Sequence, residues 1–264
     1  MFGNDYESRR VVVTGAASGM GAAVCKILLE LRADVIGADI KEIENSEITG
    51  YHLNLMDEAS IDAFVAEQAD ESIYALFCCA GLPQTCPPAD VVQVNFLGNR
   101  YLIESILPKL QGESAIAVIT SMTLGWVQEA ERLSPLINSA SMDEGRAWVK
   151  ANEESMGDSY VVAKHAMAAW SSINSTRYIQ RGTRMNILCP GVTQTPMLAS
   201  FYEAAPEAMN MLPQPLGRET TAEEQAFAMV FLNHPRASAL VGVSLYNDGG
   251  SQAAVLSAAA AGLM

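Results

Sequence analysis

The chain predicts an α/β fold in which a doubly wound parallel sheet of about seven strands carries helices on both faces. Two observations lead there. Apolar, β-branched runs of strand length alternate with helix-length segments from one end of the 264 residues to the other, which is the pattern of βαβ units. Each stretch rich in glycine or chemically active residues also falls just after such a run, at the carboxyl end of a strand, where sheets of this kind bind their ligands.

The first strand is Arg10 to Thr14, closed by the turn Gly15-Ala16-Ala17-Ser18-Gly19-Met20-Gly21 and followed by a helix over Ala22 to Leu31. A glycine-rich turn between strand and helix lets backbone approach a pyrophosphate and aims the N–H groups of a helix start at it. Gly15, Ser18, Gly19 and Met20 are therefore candidate cofactor contacts. The second strand, Asp34 to Asp39, ends in a carboxylate about 20 residues after the turn, where an acidic side chain accepts from ribose hydroxyls and repels a 2′-phosphate. Asp39, with Ile40 beside it, predicts NAD rather than NADP, and Lys41 is the residue that could reach a phosphate instead.

Further strands are expected over Thr49 to Leu55, Ile73 to Ala80, Ala115 to Ser121, Thr183 to Cys189 and Leu240 to Tyr246, with helices over Glu58 to Ala69, Asp90 to Leu110, Met156 to Gln180 and Thr221 to Asn233. Their ends carry Asn54-Leu55, Cys79-Ala80-Gly81, Ser121 and Pro190-Gly191. The Met156 to Gln180 helix holds Tyr160 and Lys164 four residues apart, hence on one face. An ammonium beside a phenol is expected to pull its pKa down from ~10 and make it a workable proton donor and acceptor.

Composition narrows the partners. A formal net charge of −14 excludes the basic face that nucleic acid or an anionic membrane requires. The polar start of the chain and the lack of a long apolar stretch predict a cytoplasmic protein. Five cysteines without paired spacing read as reduced core residues, and three scattered histidines suggest no metal site.

These elements, in this order and spacing, resemble the short-chain dehydrogenase/reductase family over essentially the whole chain, and so imply a Rossmann-type single domain over residues 1–264. The matching motifs are Thr14-Gly15-x-x-x-Gly19-x-Gly21, Asn54-Leu55-x-Asp57, Cys78-Cys79-Ala80-Gly81, Asn95, Ser121, Tyr160-x-x-x-Lys164, Pro190-Gly191 with Thr195, and Asn247-Asp248-Gly249-Gly250. The resemblance implies a nicotinamide-dependent oxidoreductase with Ser121, Tyr160 and Lys164 at its catalytic centre and Asn95 in support. It also implies cofactor contacts from Thr193 and Thr195 to the nicotinamide carboxamide. Cys78-Cys79 stands where the family usually has two asparagines, so Cys79 is expected to give packing and backbone contacts only.

Thirty-nine positions separate Ser121 from Tyr160, far more than the family's usual spacing, so an insertion is expected at about 125–155. Within it Glu129 to Ser134 and Met142 to Glu154 have helical character, the second led by Ser141 as N-cap with Glu144 three residues on. The insertion resembles that of the bacterial 3α-hydroxysteroid dehydrogenase/carbonyl reductase branch, which implies a homodimer rather than a tetramer. The loop region at about 192–220 supplies Met197, Leu198, Phe201, Tyr202, Met209, Met211 and Leu212, faced by Met122, Leu124 and Trp126. Methionine-rich walls adapt to bulky apolar shapes. Met122, Trp126, Met197, Phe201 and Tyr202 are the candidate substrate contacts, and a hydrophobic cyclic or aromatic secondary alcohol, or its ketone, is the expected substrate, a hydroxysteroid among them. A smaller alicyclic or aromatic alcohol or dihydrodiol is the alternative, and a non-catalytic dinucleotide sensor lies outside the enzyme class. The uncharged end, Ser251 to Met264, is expected to pack across a two-fold interface.

Overall fold

The structure, a computed structural model, describes residues 3–68, 73–122 and 126–262. Apolar runs buried from end to end form the middle of the sheet. The strands in chain order are β1 (Arg10–Thr14), β2 (Asp34–Asp39), β3 (Thr49–His52), β4 (Ile73–Cys78), β5 (Leu110–Ile119) and β6 (Thr183–Pro190), with two short strands, β7 (Thr193–Gln194) and β8 (Thr220–Thr221), before the last, β9 (Ser244–Asn247). Seven of them pair in parallel in the order β3-β2-β1-β4-β5-β6-β9, and β7 pairs with β8 apart from the sheet. Every residue of β4 and β6 is buried, as strands covered on both faces must be. The doubly wound sheet is therefore as the sequence predicts.

The helices are α1 (Gly19–Glu30), α2 (Glu58–Glu67), α3 (Pro88–Val92), α4 (Asn99–Ile106), α5 (Trp126–Glu129), α6 (Ser134–Ile137), α7 (Met142–Asn152), α8 (Ser159–Tyr178), α9 (Leu198–Ala204), α10 (Pro206–Met211), α11 (Ala222–Asn233) and α12 (Ser251–Ala260). One core layer joins Ile61, Phe96, Ile103, Ala163 and Trp170 beneath α2, α4 and α8. The other joins Val24, Leu28, Met229 and Leu232 of α1 and α11 to Val11 and Val13 of β1. Strand register brings Thr14 level with Ala38 and Cys78, and Pro190 level with Asn247, so the motif-bearing ends share one edge.

Several boundaries differ from expectation. The helix predicted over Asp90 to Leu110 is three pieces, because a π-helical stretch over Gln93–Gly98 separates α3 from α4 and a 3₁₀ turn at Leu107–Lys109 ends it. The π-stretch is buried throughout, so its apolar pattern shows no single face that could reveal the change of period. The third strand stops at His52 rather than Leu55, β5 starts at Leu110 and ends at Ile119, and β9 begins at Ser244 rather than Leu240, after Gly242 turns with φ +70°. α2 ends at Glu67, and Ala69 lies outside the described residues.

In the insertion, Glu129 to Ser134 is not one helix but the link between α5 and α6, the latter started by Pro135 in its first turn, where a missing N–H does no harm. α7 follows expectation: Ser141 Oγ accepts from Glu144 N at 3.1 Å, while the Glu144 carboxylate accepts from Ala140 N. Arg100 of α4 reaches into the insertion, donating to Ser139 Oγ at 3.1 Å, Ser139 O at 2.6 Å and Ile137 O at 3.3 Å. In return Arg146 of α7 donates to Gln93 Oε1 at 2.9 Å and Met56 O at 3.2 Å. The insertion thereby lies over the π-stretch and α8. At the other end of the chain Ser251 is buried but Leu256 is 57% exposed, so one protomer buries only the start of α12. Among the described residues no helix is long and apolar enough to cross a membrane.

Candidate active site

The glycine-rich turn is built for close approach. Gly15 has φ +69° and a Cβ there would stand 2.8 Å from Ala80 N; a Cβ on Gly21 would stand 2.1 Å from Gly15 O. Gly19, φ +56°, faces Thr195, whose Cβ would be 3.5 Å from an added methyl. Ser18 caps α1 without a side-chain cap hydrogen bond, and the first turn carries no acidic residue, so nothing there competes with an anionic ligand for the positive helix end.

From this turn a cleft with an empty volume of about 1290 Å³ runs across the strand ends, lined by Gly15, Ser18, Gly19, Met20, Asp39, Ile40, Asn54, Leu55, Cys79, Ala80, Gly81 and Thr195, with Lys41 also in its wall. All but three of the expected cofactor residues other than Tyr160 and Lys164 thus meet in one place. Those three, Pro190, Gly191 and Thr193, line the adjoining cleft, which shares Met20, Cys79, Gly81 and Thr195 with the first. Asp39 is held by two backbone donors, Ala17 N at 3.0 Å and Lys41 N at 2.9 Å, one to each oxygen. Each oxygen keeps acceptor capacity for a ribose hydroxyl. Asn54 is spanned by Ser60 Oγ and Met56 N. The residues fit a dinucleotide: glycines where side chains would block it, an uncapped helix start, and a carboxylate at the far end.

Thr14 holds the fourth strand's end to the first, its Oγ1 accepting from Cys79 N and Ala80 N at 3.2 Å each. Cys79 therefore contributes backbone and wall, not amide hydrogen bonds. Thr193 is turned inward: its hydroxyl donates to Gly191 O at 2.8 Å and lies 3.0 Å from Thr220 Oγ1. Its side chain is committed to tying β7 to β8, and backbone is what it can offer a ligand.

The second cleft, with an empty volume of about 750 Å³, opens beside the first and contains Ser121, Tyr160 and Lys164 together with Met122, Met197 and Phe201. Tyr202 is not part of its wall. Its hydroxyl donates to Glu219 Oε1 at 3.1 Å, because successive residues of a helix point about 100° apart and Phe201 takes the inward direction. Met211 is 82% exposed and is likewise turned away, while Met209 and Leu212 line the cleft. The Trp126 side chain and Leu124 lie outside the described residues.

The expected depression of the Tyr160 phenol is not what the structure shows. Burial pushes it up to about 12, with a Ser121 hydrogen bond opposing and the Asp158 charge adding to the rise. Lys164 does not lie on the phenol oxygen: its ammonium donates to Ile119 O at 3.0 Å and stands 5.5 Å from the centre of the Tyr160 ring. Burial in turn brings Lys164 down to about 8, with Cys79 and Cys189 opposing. Two groups that would ordinarily titrate near the same pH are thus moved apart, the arrangement that separates acid from base in a site.

Asn95 sits in the π-stretch directly behind Gly81, where an added Cβ would stand 3.0 Å from its Oδ1. Its Oδ1 accepts from Leu82 N at 2.7 Å and its Nδ2 donates to Leu82 O at 2.9 Å, pinning the segment that follows Gly81. Leu82 itself lines both clefts and was not singled out from sequence; its position directly after Ala80-Gly81 was the available signal. Asp248, from the Asn247-Asp248-Gly249-Gly250 motif, is a second support. Gly191 packs so tightly on it that a Cβ would lie 2.7 Å from Asp248 Cα, and its carboxylate accepts from Gly250 N and Gln252 N.

A dinucleotide cradle joined to a Ser-Tyr-Lys cleft at the carboxyl edge of a parallel sheet defines a nicotinamide-dependent oxidoreductase. Residues 15–252 match the family model described as enoyl-(acyl carrier protein) reductase, and the chain belongs to the short-chain dehydrogenase/reductase family. It is 29% identical to the coniferyl-alcohol dehydrogenase of Pseudomonas sp. (strain HR199 / DSM 7063), over 92% of this chain and 96% of that one. It is 28% identical, over the same shares, to the 3-alpha-hydroxysteroid dehydrogenase/carbonyl reductase of Comamonas testosteroni. Among solved structures, the 3-alpha-hydroxysteroid dehydrogenase of Pseudomonas sp. B-0831 complexed with NADH superposes with a TM-score of 0.81 at 26% identity, covering 94% of this chain and 98% of that one.

Proposed function

We propose that the protein is an NAD(H)-dependent dehydrogenase/reductase of hydrophobic cyclic or aromatic secondary alcohols and their ketones. The observation that carries this reading is the cleft that places Ser121 and the Tyr160 phenol among methionine, leucine and phenylalanine side chains. Among the described residues Lys164 is the sole Lys, Arg, Asp or Glu in that wall, so a phosphate or carboxylate on the substrate would find no arginine to receive it. The nicotinamide, when bound, supplies the hydride acceptor or donor. Ser121 holds the substrate oxygen. Tyr160, a neutral phenol with its pKa pushed up to about 12, gives its proton to the carbonyl oxygen in reduction and, as phenolate, takes it back in oxidation. Lys164, anchored on Ile119 O and 5.5 Å from the centre of the Tyr160 ring, offers a donor for the nicotinamide ribose. Asn95 acts through Leu82, shaping the wall rather than touching the reacting atoms.

Asp39 favours NAD. Lining the cleft, with each oxygen held by one backbone donor, it can accept from the adenosine ribose and repel a 2′-phosphate. Asp39→Ala should move preference toward NADP by about 1–3 kcal/mol, read as the ratio of kcat/KM for the two cofactors; a parent protein that already prefers NADP would assign the choice to Lys41.

Named relatives act on alcohols of both sizes, a coniferyl alcohol and a 3α-hydroxysteroid, so a steroid alcohol is the second reading. A screen of secondary alcohols and ketones with both cofactors, followed by absorbance of the reduced nicotinamide, tests the proposal. Turnover of an apolar ring alcohol or ketone is expected; turnover confined to charged or acyclic compounds would refute it.

For assembly we propose a homodimer. Phe227 and Phe231 of α11 and Leu256 of α12 are exposed by 42%, 41% and 57%, while the insertion already lies over α8. A second copy covering the α11 and α12 side fits that distribution.

A further inference from the structure

Helix α9 brings Phe201 against the reacting phenol. The two rings meet edge to face, with centroids 5.0 Å apart and planes at 77°, and both face the substrate cleft. The direction of Phe201 is fixed by its neighbour, since the Tyr202 hydroxyl is bonded to Glu219 at 3.1 Å. The start of α9, which lies over the cleft as its lid through Leu198 and Phe201, is fixed as well: Leu198 N donates to Thr195 O at 3.0 Å, and Thr195 packs over Gly19.

Four methionines make part of this wall soft. Met20, Met122, Met197 and Met209 line it, and unbranched thioethers re-pack around a ligand with little resistance. Phe201 has two torsions and a rigid ring. It is the aromatic side chain packed on Tyr160 in the cleft that also holds Ser121, where the carbinol carbon of a substrate must lie if its oxygen is to reach both hydroxyls. Part of the same cleft belongs to the cofactor side, through Gly191, Thr193 and Thr195, so the space next to that carbon is bounded by Phe201 on the lid side.

We propose that Phe201 is the specificity-determining residue of this cleft, its ring admitting substrates with one ring beside the carbinol carbon and turning away fused polycyclic ones. A single ring can meet the edge or face of Phe201 as Tyr160 does. A fused system extends past the phenol into the volume that Phe201 fills. This rests on the secondary-alcohol reading of the site, and the test separates the two.

The variants are Phe201→Ala and Phe201→Leu, assayed with 1-phenylethanol and with a tetracyclic steroid alcohol. The ratio of kcat/KM for the steroid over the single-ring alcohol should rise on the order of 10-fold or more in Phe201→Ala, the scale on which apolar pockets discriminate bulk. The change should come through KM, with Phe201→Leu intermediate and NADH binding unchanged. A ratio that stays constant or falls overturns the proposal. A second readout needs no turnover: Tyr160 titrated by NMR in protein carrying ¹³C-labelled tyrosine should ionise at lower pH once the covering ring is gone. An unmoved Tyr160 titration shows that Phe201 does not bound the phenol, and overturns the proposal too. If the parent protein turns over neither alcohol nor any other apolar ring alcohol or ketone of the screen, the proposed function fails, while the titration still decides what Phe201 covers.

Discussion

Lys164 shows how far a single residue can be read from its spacing. The i, i+4 relation to Tyr160 holds, because both are on α8. What spacing could not give is where the ammonium goes: it donates to Ile119 O, a carbonyl at the end of β5 contributed by a distant part of the chain. Burial then dominates over the expected attraction, and both groups shift toward their neutral forms. The stability consequence has a definite sign. The folded Lys164 titrates at about 8 against 10.5 unfolded, so below pH 8 the fold carries a disfavoured buried cation. Between pH 8 and 10.5 the folded state sheds the proton while the unfolded state keeps it, so this penalty is relieved as pH rises. The depression corresponds to at most roughly 3 kcal/mol. Lys164→Met should therefore raise the Tm of the cofactor-free protein at pH 7, and the advantage should shrink as pH rises from 8 to 10.5. A Tm lowered at pH 7, or a gain that does not change with pH, would mean that burial does not govern this lysine.

At the scale of elements, the π-stretch Gln93–Gly98 was the feature least legible in advance. Its residues Val94, Phe96 and Leu97 are buried with Asn95 among them, so hydrophobic periodicity could not mark where the helix widens. The structure explains why it is there. Gly98 passes so close to the loop after β3 that a Cβ would stand 2.0 Å from Leu55 O, and Asn95 is turned to clamp Leu82. Gly98→Ala must displace backbone, which costs about 1–3 kcal/mol, and because Leu55 is part of the cofactor cleft NADH affinity should fall as well. Melting and NADH titration of the variant check this; an unchanged Tm with unchanged affinity would show that the close approach is not maintained. The strand-end motifs, by contrast, were readable because each is fixed by the strand it closes, which is why Gly15, Asp39, Cys79, Pro190 and Gly191 assemble as expected. Tyr202 failed for a local reason: neighbours on a helix cannot both point inward.

The whole molecule joins a sheet edge that holds a dinucleotide to a lid and a C-terminal helix that bound the substrate side. The two are tied at Ser251, whose hydroxyl donates to Pro213 O at 2.6 Å, and at Gly249 O, which accepts from Leu216 N at 3.0 Å. Removing residues 253–264 keeps both bonds, so NAD binding should survive. It also removes Leu256, the most exposed of the apolar side chains named on the α11 and α12 side, so dissociation of the proposed homodimer, measured by analytical ultracentrifugation, should become easier. A truncated chain with the same dissociation constant and the same kinetics would place the interface elsewhere.

In the proposed mechanism Tyr160 moves the proton while the nicotinamide moves the hydride. This is tested most directly by turnover of the best substrate from the alcohol and ketone screen in Tyr160→Phe, with NADH affinity measured on the same preparation. The account predicts a fall in kcat of roughly 100-fold or more, the scale of general acid–base catalysis, with cofactor affinity close to that of the parent. Near-normal turnover with NADH bound would contradict it.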